Sequence, residues 1–122
     1  MGSKESNKII GFKHAFAGIL YVITHERNFR IHLVSWMLVI IMGLITQVSA
    51  MEWMLLMVVS GGVCMAEMIN SGMELMIDYL KPDMHPSAKA IKDIAAGAVL
   101  IAVIVACIVG GIIFLPKIME WF

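Results

Sequence analysis

Charge is scarce in this chain. Asp, Glu, Lys and Arg make up 15% of its 122 residues, against about a quarter in an ordinary soluble domain. Acids and bases balance to a net charge of zero, which argues against a nucleic-acid binder driven by phosphate neutralisation. Only two cysteines occur, Cys64 and Cys107. Both lie inside apolar runs with no metal-ligating neighbour at useful spacing, so they read as buried reduced thiols. Soluble ATP-site signatures are missing: there is no G-x-x-x-x-G-K-[ST] loop and no G-x-G-x-x-G loop opening a helix. The first apolar run arrives late and lacks a small-residue cleavage site, so no signal peptide is expected.

What the chain has instead is apolar bulk. Hydrophobic residues reach 61% and the mean hydropathy is +0.91, which points to an all-α integral membrane protein, and the length suits a single domain over residues 1–122. An amphipathic helix is expected over about 6–25, with Ile9, Phe12, Phe16, Ile19, Leu20 and Ile23 at three- and four-residue steps and Lys8 and Lys13 flanking them. It suits a membrane interface, or packing on neighbouring helices. The polar junction His25–His32 follows, with both histidines read as headgroup-level residues. Three spans then run over about 31–49, 53–79 and 88–115. A turn is expected near Ala50–Glu52, Ser87 is the expected cap of the third span, and Pro116 and Lys117 are expected to end it.

Cations divide unevenly between the two sides. Lys4, Lys8, Lys13, Arg27 and Arg30 precede the first span, and Lys81, Lys89 and Lys92 fall in or beside the second loop, whereas the opposite side has only Lys117. This bias places the N-terminus and the 79–93 region in the cytoplasm. Ala98, Ala102, Ala106 and Gly110 form a ridge of small residues on the third span, and Ser60–Gly61–Gly62 interrupts the bulk of the second. Such ridges let helix backbones approach closely. Three spans enclose little by themselves, so an oligomer is expected. The twelve methionines read as soft packing or lipid-facing bulk.

One stretch breaks the apolar pattern. Glu67, Asn70, Glu74 and Asp78 continue the second apolar run and fall within about 80° of one another on a helix. An ionised carboxylate at membrane depth costs several kcal/mol unless it is paired, cation-bound or wetted. With Glu26, Lys92 and Asp93 the stripe makes a set suited to phosphoryl transfer, which needs carboxylates for a divalent cation, a positive charge for phosphates and a base. A stripe of acids equally suits a small cation or proton pathway, or a structural polar network.

The sequence also resembles a known family. Its carriers are Glu26–Arg27–Asn28–Phe29–Arg30–Ile31–His32, then Glu67–Met68–Ile69–Asn70–Ser71–Gly72–Met73–Glu74 with Asp78, then His85–Pro86, then Lys92–Asp93–Ile94–Ala95–Ala96–Gly97–Ala98–Val99. These residues resemble the small prokaryotic diacylglycerol kinases and undecaprenol kinases, from Gly11 to about Phe114. The resemblance implies a homotrimer in the bacterial inner membrane, each chain with three spans and a surface helix. Shared active sites at the cytoplasmic interface would use ATP and Mg²⁺ to phosphorylate a membrane lipid alcohol. By resemblance, Glu67 matches the base and meets the lipid hydroxyl, Asn70 orients the site, and Glu26 and Glu74 hold Mg²⁺ on the ATP phosphates. Lys92 and Asp93 match nucleotide contacts, Asp83 and His85 lie where a loop covers the nucleotide, and His14 stands where relatives often carry a tyrosine that meets it. Gly72 departs from the family's usual alanine. The Glu26–Arg27–Asn28, His85–Pro86 and Ala95–Ala96–Gly97 forms resemble the undecaprenol branch more than the diacylglycerol branch.

Overall fold

A single non-helical residue, Glu26, separates the first two helices in a computed structural model that describes residues 3–80 and 85–122, with side chains from residue 8 onward. The helices are α1 (Ser3–His25), α2 (Arg27–Thr46), α3 (Ala50–Leu80) and α4 (Pro86–Met119), with no strand among the described residues. Glu26 is extended, at φ −113° and ψ 107°. Arg30 reaches back across this break, its Nη1 donating to the carbonyls of Ile23 at 2.8 Å and Thr24 at 3.2 Å. Those carbonyls belong to the last turn of α1 and lack helical partners, so a guanidinium is well placed there. Val22 and Phe29 then pack together with Cys64 of α3, which fixes the angle of the joint. From Lys8 to Leu20, by contrast, α1 is exposed on every face. Of the two fates open to this amphipathic helix, packing within its own chain is confined to the last turn.

α2, α3 and α4 are each long and apolar enough to cross a membrane. Even α2, with 20 residues, covers roughly 30 Å at the helical rise. Their bounds differ from the expected spans where capping chemistry decides. The turn between α2 and α3 lies at residues 47–49, not at Ala50–Glu52. Ser49 and Glu52 form a reciprocal box: the Glu52 amide donates to Ser49 Oγ at 3.2 Å, and the Ser49 amide donates to Glu52 Oε1 at 2.9 Å. Such a box satisfies two amides that a helix start leaves free, so α3 begins at Ala50. Gln47 turns the chain in the left-handed region, at φ 55° and ψ 54°.

α4 departs at both ends. His85, rather than Ser87, is its N-cap: His85 Nδ1 accepts from the Ser87 amide at 3.1 Å, and Pro86 takes the first helical position, where a missing N–H costs nothing. At the far end the helix runs through Pro116 to Met119. A proline this close to the terminus forfeits a bond only in the last turns, so the helix outlives it.

α3 and α4 make the most extensive contact in the fold. Ala102, Ala106 and Gly110 are half-buried, whereas Ala98, the first member of the small-residue ridge, is exposed. At the end opposite the α1–α2 joint, Val48, Leu56 and Ile113 form a buried cluster with Trp53 against it. The Trp53 ring covers Gly43 so closely that a Cβ there would lie 2.5 Å from it. Lys117 closes this end by pairing with Glu52 at 3.3 Å.

Candidate active site

The packed face of α3 changes chemistry partway along the helix. Leu56, Val63 and Cys64 are buried on it, and the same azimuth then carries Glu67, Asn70 and Ser71. These three polar residues are 3%, 6% and 1% exposed, as deeply placed as the apolar residues before them. Asn70 Nδ2 donates to Glu74 Oε1 at 3.4 Å, one turn further on. Asn70 Oδ1 and Ser71 Oγ are buried with no hydrogen-bond partner among the described residues. Buried polar atoms are usually satisfied, so two orphans within one helical turn mark an incomplete site.

Glu26 comes to the same place from the break between α1 and α2. Its side chain makes no capping hydrogen bond, and both it and Glu74 lie within electrostatic reach of Glu67. The structure therefore brings Glu67, Asn70 and Glu74 of α3 together with Glu26 of the α1–α2 break. Three acids gathered this way are stable only with positive charge or water from outside the cluster. No group of three His, Cys, Asp or Glu side chains among the described residues forms a metal cage. Mg²⁺ needs none, because it takes one or two carboxylates and keeps phosphate and water as its other ligands. A paired set of acids beside an orphaned amide oxygen fits that demand.

Other candidate residues stand apart from this cluster. Lys92 Nζ pairs with Asp78 Oδ1 at 2.6 Å, bridging the start of α4 to the end of α3. Asp93 pairs with Lys89, also at 2.6 Å, on an exposed turn. His85 is spent on capping α4, and His14 lies on the exposed part of α1. Asp83 falls outside the described residues. Asp78, by its bridge to Lys92, ties two helices together, and it is the most exposed member of the stripe.

His32 is the residue that pattern reasoning passed over. Expected to lie at headgroup level, it makes a specific contact: its Nε2 lies 3.8 Å from Glu67 Oε2. α2 is apolar on nearly all sides, so periodicity gives no inward face to assign it to. The available signal was depth, since His32 opens α2's apolar run much as Glu67 closes that of α3.

The sequence profile of the prokaryotic diacylglycerol kinases matches residues 13–114, a segment that holds every member of this cluster. The chain belongs to the prokaryotic diacylglycerol kinase family. It is similar to the undecaprenol kinase of Bacillus subtilis, with 41% identity over 106 residues covering 87% of this chain and 86% of that protein. A diacylglycerol kinase of Synechocystis sp. is 37% identical over 115 residues, covering 93% of this chain and 66% of that protein. A diacylglycerol kinase of Helicobacter pylori is 29% identical over 111 residues, covering 85% and 87% respectively. The chain is thus a membrane lipid kinase, and kinase chemistry draws its phosphoryl group from ATP. The cation-pathway alternative loses its footing against these matches.

Proposed function

We propose that this kinase phosphorylates undecaprenol in preference to diacylglycerol, with Glu67 as the base. The observation that carries the assignment of the base is its burial: Glu67 is 3% exposed within a helix long and apolar enough to span a membrane. A membrane alcohol can reach a carboxylate there without leaving the bilayer. Glu67 takes the hydroxyl proton as the alcohol oxygen bonds to the γ-phosphorus of ATP, and the bond to the bridging oxygen breaks to release ADP. Glu26 and Glu74 hold Mg²⁺, which supplies neutralisation of the phosphate charge when bound. Asn70 fixes Glu74 through their hydrogen bond.

Lys92 and Asp93 serve the nucleotide, with His85, Asp83 and His14 at its periphery. The Lys92–Asp78 pair is partly exposed on both sides, and such pairs contribute about 1 kcal/mol or less. Phosphate can therefore displace Asp78 from Lys92 at little cost. The cationic side faces the cytoplasm of the cell membrane, where ATP is available. A homotrimer that shares its sites between chains accounts for the unpartnered atoms at Asn70 and Ser71 and for the unpacked length of α1.

The undecaprenol preference is supported by the higher identity and two-sided coverage of the undecaprenol kinase match. Purified protein given radiolabelled ATP, Mg²⁺ and either lipid should label undecaprenol faster than diacylglycerol. The reverse order would reassign the substrate, and no labelled lipid from either would sink the assignment altogether.

A further inference from the structure

One side chain outside the roles given above faces the proposed base. His32 projects from α2 toward Glu67 at 3.8 Å, an ion-pair separation rather than a hydrogen bond. The other charged groups within electrostatic reach of Glu67 are acidic, Glu74 on its own helix and Glu26 before α2. Those at the start of α4 are occupied elsewhere, Lys92 with Asp78 and Lys89 with Asp93. His25, at the end of α1, stacks on Tyr21 with ring centroids 4.2 Å apart.

His32 also ends a groove. A cavity of about 210 Å³ runs between α2, α3 and α4, with Trp36, Val39, Ser60, Val63 and Ala106 among its walls and His32 at its polar end. Its lining is mainly apolar, and its residues step away from Glu67 turn by turn along α2 and α3. An apolar chain lying there presents its polar end to His32, whose imidazole stands 3.8 Å from the Glu67 carboxylate.

We propose that His32, at the polar end of this groove, is a positioning residue for the Glu67 carboxylate. The inference rests on the lipid-kinase reading with Glu67 as base. An N–H on Nε2 facing Oε2 across 3.8 Å attracts that carboxylate oxygen electrostatically and leaves Oε1 to receive the hydroxyl proton. A base needs such support, because a displacement of about 1 Å can cost roughly 100-fold in rate. Among the described residues His32 supplies the one positively polarised group opposite a carboxylate otherwise surrounded by acids.

The test compares His32→Leu with His32→Gln in the full chain, using undecaprenol and Mg–ATP. Leucine should lower kcat roughly 100-fold with the KM for Mg–ATP unchanged, whereas glutamine, which keeps an N–H at similar reach, should stay within about tenfold of the parent. Parent-like turnover by His32→Leu would overturn the proposal, as would equal damage in both variants or a loss confined to the KM for Mg–ATP. Thermal unfolding in detergent and nucleotide binding report whether each variant is folded. Should His32→Leu not fold, His32→Asn replaces it: asparagine is too short to reach Glu67, and turnover equal to that of His32→Gln overturns the proposal. A parent protein that labels neither lipid removes the kinase reading itself, a result distinct from an active parent whose His32 variants are all unimpaired.

Discussion

Where α2 turns into α3, the chain answers its own polar groups: Glu52 accepts from the Ser49 amide and pairs with Lys117, and Ser49 caps the helix in return. At the other end of α3, Glu67, Asn70 and Ser71 are buried, yet Asn70 Oδ1 and Ser71 Oγ lack partners among the described residues and Glu67 faces two further acids. Both ends sit on one helix. The difference lies in whether the chain closes its polar groups for itself. A closed end stabilises the fold, while an open end leaves binding capacity for a ligand or a partner chain, at a cost to stability.

Substitutions at the two ends should therefore separate activity from stability. The largest effect is expected at the open end. Glu67→Gln should cut turnover by roughly 10²- to 10⁴-fold, the usual worth of a general base, while thermal stability in detergent holds or rises because a buried charge is removed. Glu74→Gln should instead weaken Mg–ATP binding roughly 10- to 100-fold, read as a raised KM for Mg–ATP. Identical kinetic phenotypes for these two variants would break the division between base and metal ligand. At the closed end the order reverses. Gly43→Leu forces a side chain into the Trp53 ring and should cost about 1–3 kcal/mol of stability, seen as a lowered Tm, with turnover per folded molecule unchanged. The smallest effect belongs to Ser49→Ala, which loses one cap and about 1 kcal/mol, again without touching kcat.

Much of this architecture was legible in the residue pattern. Three apolar runs each long enough to cross a bilayer core, separated by charged or proline-bearing segments, leave few alternatives to three spans. The stripe from Glu67 to Asp78 was equally visible, because carboxylates at helical spacing inside an apolar run have no ordinary explanation. Boundaries were less legible. Ser49-x-x-Glu52 and His85–Pro86 are local hydrogen-bonding devices, whereas by residue pattern α3 starts at the bulky Trp53 and Ser87 is the cap of α4. His32 was illegible for a different reason. A helix crossing lipid is apolar all round, so nothing in its period distinguishes the side facing α3 from the side facing lipid. Which helix supplies a partner to Glu67 is a fact of packing, and only the three-dimensional arrangement carries it.

α3 runs unbroken from Ala50 to Leu80, anchored at its start by the Ser49–Glu52 box. Glu67 therefore stands at a height set by helical rise alone, roughly 22 Å beyond Glu52. The helix acts as a gauge rod. Inserting or deleting one residue between the two would move the carboxylate by about 1.5 Å and swing it by about 100°, out of reach of Glu26 and His32. No loop along the way can absorb the error. Bilayer thickness enters the same measurement, since a thicker hydrocarbon layer tilts the rod or carries the carboxylate deeper, away from the water that delivers nucleotide. With Glu67 as the proposed base, the working depth becomes a length written into one helix, and host membranes of different thickness should read it differently.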